Sequence, residues 1–220
     1  METAQTLTAP AKPLLRGVSH QISFFVAIAA TIVLAVQAPT RASASVGLVF
    51  GFTLVLLFGT SALYHRVDWS PVARQRMRRL DHAAIFMLIA GGYTPLFGLV
   101  PNADGSHGAL VLVWIGAGLG VVKSIAWPGA PKWVTALLCV GLGWMVAGQV
   151  MSRTPTVGAT CIGFIVASGV TYSLGALVYA LKRPDPLPKI FGYHEIFHAL
   201  VVVASMSLYT HVLLVIRAAA

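Results

Sequence analysis

The sequence predicts an all-α integral membrane protein: a bundle of seven transmembrane helices, N-terminus in the cytoplasm and C-terminus outside. Three observations predict it. Of the 220 residues, 57% are hydrophobic and 10% charged, where soluble domains carry about a quarter charged residues. Mean hydropathy is +0.82, too apolar for a surface facing water. Seven apolar stretches also reach or approach the roughly 20 residues that cross a hydrocarbon core. Together these exclude a soluble globular domain, a disordered chain and a coiled coil.

The spans fall near 22–38, 46–65, 81–100, 109–127, 133–151, 157–181 and 194–216. The first resembles a secretory leader, with Lys12 and Arg16 before it and Val36-Gln37-Ala38 at its end. Its apolar run of 17 residues is longer than the usual leader core of about 7–15, and Pro39 follows the candidate cleavage site, so it reads as a retained helix. In the second and fourth spans, Gly47/Gly51 and Gly116/Gly120 are small residues one turn apart, which let helix backbones approach closely in lipid. Gly91, Gly92 and Pro95 interrupt the third, where Pro95 removes a backbone donor and predicts a kink. Cys139 and Cys161 sit inside apolar runs and indicate neither a disulfide framework nor a thiolate metal site. The chain divides into a cytoplasmic segment 1–21, a single membrane domain 22–216 and a short outer tail 217–220.

The 15 basic residues outnumber the 6 acidic ones, for a net charge of +9. In a soluble chain that excess would point to nucleic acid; here the loops account for it, and the partners expected are membrane lipids. With the N-terminus inside, eleven Lys and Arg lie on the inner side, five of them between Arg66 and Arg79, against three outside at Arg41, Arg153 and Arg217. That positive-inside bias sets the chain's orientation, and its expected location is the cell's inner (plasma) membrane. Its orientation is opposite to that of G-protein-coupled receptors.

Ionisable residues within spans are costly and are functional candidates by default. His65 closes the second span, Asp81 and His82 open the third, and His194, Glu195 and His198 open the seventh. All fall toward the inner leaflet. His194 and His198 are one turn apart, about 40° from facing the same way. With His65 they supply the three protein ligands common at catalytic zinc. Ser61, one turn before His65, offers a supporting hydroxyl. Asp81 lies at the depth to hold or deprotonate a water, and His82 reads as a supporting or packing residue. His20, His107 and His211 read as interfacial. His194-Glu195-Ile196-Phe197-His198 also matches the H-E-x-x-H helix of zinc proteases. No peptide-binding segment accompanies it, and Glu195 is expected at the aqueous edge or paired with an Arg.

The blocks Ser61-Ala62-Leu63-Tyr64-His65-Arg66, Arg79-Leu80-Asp81-His82-Ala83-Ala84-Ile85-Phe86, Leu88-Ile89-Ala90-Gly91-Gly92-Tyr93-Thr94-Pro95 and His194-Glu195-Ile196-Phe197-His198 resemble the bacterial hemolysin III family. That family is grouped with the progestin and adipoQ receptors and is related to alkaline ceramidases. The resemblance runs from about Ser19 to His211. It implies a seven-helix bundle holding zinc near the cytoplasmic side through His65, His194 and His198. Asp81 would contact the zinc-bound water, with Ser61 just behind the ligands. Related receptors carry Gln where Glu195 stands. The sequence departs from the bacterial pattern at Arg16-Gly17-Val18-Ser19-His20, where acidic residues and Asn often precede a Thr-His pair.

The functional expectation is a zinc-dependent hydrolase of a lipid amide or ester, using Asp81 and Ser61 beside the metal. The alternatives are a non-enzymatic sensor or homeostasis protein with structural zinc, and a pore. The pore reading finds few polar faces along the spans to support it.

Overall fold

The computed structural model describes residues 12–100 and 107–218; of the segments assigned to the two ends, 1–11 and 219–220 lie outside the described residues. The chain forms α1 (Val18–Gln37), α2 (Arg41–Arg66), α3 (Pro71–Leu99), α4 (Gly108–Ala126), α5 (Lys132–Trp144), the short α6 (Ala147–Met151) and α7 (Thr154–Val157), α8 (Ala159–Leu181) and α9 (Tyr193–Ala218). Seven segments are long and apolar enough to cross a membrane, α5 and α6 together making the fifth. Among the described residues there is no strand, only an isolated bridge between Leu187 and Phe191.

Two helices start earlier than hydropathy predicts, because polar caps rather than apolar runs begin them. Thr40 and Ser43 form a reciprocal capping box that starts α2 at Arg41. Ser70 caps α3, and Pro71 occupies its first position, where a missing N–H costs nothing. Arg74, Arg76, Arg78 and Arg79 are therefore helical rather than part of a loop, and Asp81 sits nearly three turns into α3. The helix continues through Pro95 to Leu99.

α3 is the most buried of the spans. It packs against α2, α4, α5 and α9, while α1 pairs with α2 and α8 with α9. Phe50, Phe86, Phe97 and Leu96 are fully enclosed, whereas Ile22, Phe25, Leu119 and Leu137 face outward as a lipid-facing surface. With lipid as apolar as leucine, the helices are held by close packing. At Gly91 a Cβ would collide with Thr53, and at Gly120 with Phe86. Gly47 and Gly51 face Ile216 and Thr31 in the same way. The glycines expected to serve packing therefore do so.

Replacing Gly91 by Val should cost about 1–3 kcal/mol through overpacking, read as a lowered melting temperature in detergent. Gly118→Ala, with nothing within 4 Å of the added atom, should leave that temperature the same or slightly raised.

Candidate metal centre

The site is assembled from four helices at one end of the bundle. Ser61 and His65 lie on the last two turns of α2, His194 and His198 on the first turns of α9, Asp81 on α3, and His20 near the start of α1. Ser61, His65, Asp81 and His198 are buried, and His194 is partly so.

Local interactions fix the two approaches. At the start of α9, Asp185 accepts a hydrogen bond from the Tyr193 amide at 2.9 Å, and Glu195 accepts one from the Gly192 amide at 2.9 Å. Both carboxylates satisfy donors that a helix start leaves open. Before α1, the amides of Leu14 and Leu15 donate to the carbonyls of Lys189 and Ile190 at 3.0 and 3.2 Å. This strap brings Arg16 onto Glu195, whose other oxygen accepts from the guanidinium. It also seats Gly17, at φ +78°, against His65, where a Cβ would stand 2.6 Å from the His65 Cβ. Only glycine meets both demands without strain.

The nitrogens of His65, His194 and His198 all lie within 4.8 Å of one another. Nε2 of His65 and Nε2 of His194 are 3.3 Å apart. Nitrogens held 2.0–2.1 Å from a tetrahedral ion stand about 3.3 Å apart, so this pair already has the spacing of two ligands. Nδ1 of His198 is buried without a hydrogen-bond partner, an orphan that a metal or a water would satisfy. Three imidazoles with ligand nitrogens within 4.8 Å of one another fit a divalent ion of the zinc type. The three histidines could thus hold a metal ion.

The residue that sequence reasoning misplaced is His20. Expected at the membrane interface, it is 3% exposed. Its ring stacks on His198 with centroids 3.9 Å apart and planes within 5°, and its Nδ1 hydrogen-bonds Ser61 Oγ at 2.8 Å. Ser61 in turn lies beside Asp81. His20 thus connects a candidate ligand to the serine–aspartate pair. His211 is likewise not interfacial: it is fully buried and pairs with Cys161, its Nδ1 2.9 Å from the Cys161 carbonyl. His107 sits at the start of α4, its Nδ1 2.8 Å from the Phe97 carbonyl. Helix rotation decides the burial of His20 and His211, and spacing along the chain does not report it; His107, exposed just before α4, fits its interfacial reading. His20 lies just before the apolar run of the first span, among Ser19 and Gln21, so hydropathy gave no hint of its burial.

A cavity of about 330 Å³ opens on the histidines, within the range of about 300–1,000 Å³ typical of small-ligand sites. Asp81, Ser61 and His82 line it, and Glu195 does not. With both oxygens engaged by Arg16 and Gly192, Glu195 is a structural anchor rather than the base of an H-E-x-x-H protease. Away from the histidines the walls become apolar, with Leu88 from α3, Val140 and Trp144 from α5, Ile165 from α8, and Val201 and Leu208 from α9.

Residues 8–209 match the family described as Haemolysin-III related. A protein from Bacillus cereus named Hemolysin-3 is 26% identical over 200 residues, covering 90% of this chain and 88% of its own length. A Hemolysin-3 homolog from Bacillus subtilis (strain 168) is 27% identical over 202 residues, covering 90% and 91%. The chain belongs to the haemolysin-III related family and is a multi-pass membrane protein.

Two outcomes follow from this geometry. His20→Ala should weaken divalent-metal binding about 10–100-fold, the usual cost of losing a group that orients a ligand, as measured by competition with a chromophoric chelator. Arg16→Met and Glu195→Gln should each lower thermal stability, and the double variant should lose less than the two losses added together. A coupling of about 1–3 kcal/mol in the double-mutant cycle would register the strap's ion pair.

Proposed function

We propose that this chain is a zinc-dependent hydrolase of a lipid amide or ester, oriented with its N-terminus and histidine end toward the cytoplasm. The observation that carries the reading is the convergence of three histidine nitrogens within 4.8 Å, beside a buried aspartate, on a cavity that continues into apolar walls. His65, His194 and His198 would be the ligands. Zinc held by three imidazoles supplies a Lewis acid for the acyl carbonyl and makes water a nucleophile near neutral pH. Asp81, buried and at hand in the cavity, orients the attacking water and accepts its proton. The water oxygen bonds to the acyl carbon, the C–N or C–O bond breaks, and the proton passes to the departing amine or alcohol. Ser61, with its hydroxyl held by His20, keeps the aspartate and the ligand set in register. The apolar walls take the acyl chain and exclude bulk water. The orientation rests on the positive-inside distribution of Lys and Arg.

A second reading has its own support. The histidines join the end of α2 to the start of α9, so a metal there would also brace the bundle, as a sensor or homeostasis protein with structural zinc would need.

The experiment is elemental analysis of detergent-purified protein, followed by turnover of a long-chain acyl amide. About one zinc per chain is expected in the unmodified protein, and none in His194→Ala/His198→Ala. Asp81→Asn should keep the zinc and lose turnover by about 10²–10⁴-fold. A folded protein that stays metal-free after zinc is added back overturns the zinc reading. Bound zinc without turnover, with His65→Ala lowering only the melting temperature, favours the structural role. Dye leakage from liposomes that survives loss of the histidines would instead favour a pore.

A further inference from the structure

The charge at the mouth of the cavity is not what its metal chemistry requires. Arg16, Arg74, Arg78 and Lys132 line it, and Asp81 is the one carboxylate among the lining residues. Arg16 is taken by Glu195. Among the described residues, the ion pairs formed are Lys12–Asp68 and Arg16–Glu195, so Arg74, Arg78 and Lys132 have no carboxylate within salt-bridge distance.

Aromatic rings hold two of these cations in place. The Arg74 guanidinium lies 5.7 Å from the centre of the Tyr64 ring. Lys132 Nζ lies 4.5 Å from the Tyr179 ring centre and 5.0 Å from that of Tyr193, whose hydroxyl it meets at 2.9 Å. A ring quadrupole positions a cation without neutralising it. The result is two positioned cations, with Arg78 beside them, none paired with a carboxylate, around a cavity with low-dielectric walls, an arrangement that focuses field and draws in anions.

Membrane topology alone does not explain this placement. The positive-inside bias needs basic residues on one side; it does not need them to face a cavity. Arg74 and Arg78 are one turn apart on α3 and both line the cavity, while Arg76 and Arg79 on the same helix do not.

We propose that the cavity takes an anionic lipid, an acyl amide or ester whose headgroup carries a phosphate or a carboxylate. Arg74, Arg78 and Lys132 hold the headgroup, the acyl carbonyl lies toward the histidines, and the chain runs along the apolar walls. Arginine forks pair with both phosphate and carboxylate oxygens. This assignment rests on the hydrolase reading for the fate of the carbonyl, but not for binding.

The test is binding by native mass spectrometry to the full chain carrying Asp81→Asn, so that no probe is consumed, in a neutral detergent. Two matched pairs are used: oleoyl lysophosphatidic acid with monooleoylglycerol, and N-oleoylglycine with oleoylethanolamide. In at least one pair the anionic member should bind about tenfold more tightly than its neutral partner, as charge-assisted contacts predict. Preference confined to the first pair assigns a phosphate, and preference confined to the second a carboxylate. Adding Arg78→Gln and Lys132→Gln should reduce the preference to within about twofold, whereas Arg76→Gln should leave it intact. Equal binding within both pairs overturns the proposal, and that measurement needs no mouth variant to fold. An equal loss with Arg76→Gln also overturns it, because generic surface attraction would then suffice. A preference without turnover of any probe by the unmodified protein sinks the hydrolase reading and leaves this one standing; turnover of oleoylethanolamide with no preference does the reverse.

Discussion

Three imidazoles can share one small volume inside a membrane protein only if the helix ends that carry them meet at one depth. That convergence is the constraint on which the rest of this bundle depends. His65 ends α2 and His194 and His198 begin α9, so the two helices must be fixed in register to within about one turn, roughly 5.4 Å. Burial raises the stakes, since an unpaired polar nitrogen away from water is costly. The surroundings answer with partners: Ser61 for His20, His194 for His65, and the flat face of His20 against His198. His198 Nδ1 and His20 Nε2 remain without a hydrogen-bond partner, so part of that cost stays at the histidine cluster.

The register is held from outside the spans. The strap before α1 donates its backbone amides to the segment leading into α9, and Arg16 closes on Glu195. Gly17 lets the strap turn directly over His65. One short stretch thereby ties α1, α2 and α9 together at the end where the histidines meet. Such a pair stabilises less through net ion-pair energy, which desolvation offsets, than through the geometry it selects. The glutamate in the H-E-x-x-H string belongs to this clamp, which gives that motif a structural meaning different from its proteolytic one.

The spans were legible in the sequence because length and hydropathy are local properties. The shared depth of His65, Asp81 and the His194/His198 pair was legible too, since alternating spans fix which ends lie together. The full length of α3 was less so. A hydropathy criterion starts that helix where it becomes apolar, near Asp81, whereas Ser70 and Pro71 start it ten residues earlier and carry the arginines with it. His20 was illegible for a different reason: nothing in Val18-Ser19-His20-Gln21 says which side of α1 will face α9. Rotation about the helix axis is a tertiary fact here: the polar residues Ser19, His20 and Gln21 fall on successive positions around the helix and single out no outer face.

The extension of α3 has a chemical consequence that a loop would not have had. In a loop, Arg74, Arg76, Arg78 and Arg79 would share one flexible stretch of positive charge and be equivalent to one another. On a helix they separate by face: Arg74 and Arg78 turn to the cavity and the other two turn away. Asp81 lies three residues beyond Arg78, about 60° short of a full turn, so the same rigid rod presents cations at the mouth and a carboxylate deeper in. Spacing between headgroup contacts and the acidic group is then set by helix rise, about 1.5 Å per residue, rather than by the entropy of a loop. A lipid held by its headgroup in the proposed way would meet Asp81 and the histidines at a fixed distance from that headgroup, so the helix would select ligands by the separation between headgroup and acyl carbonyl.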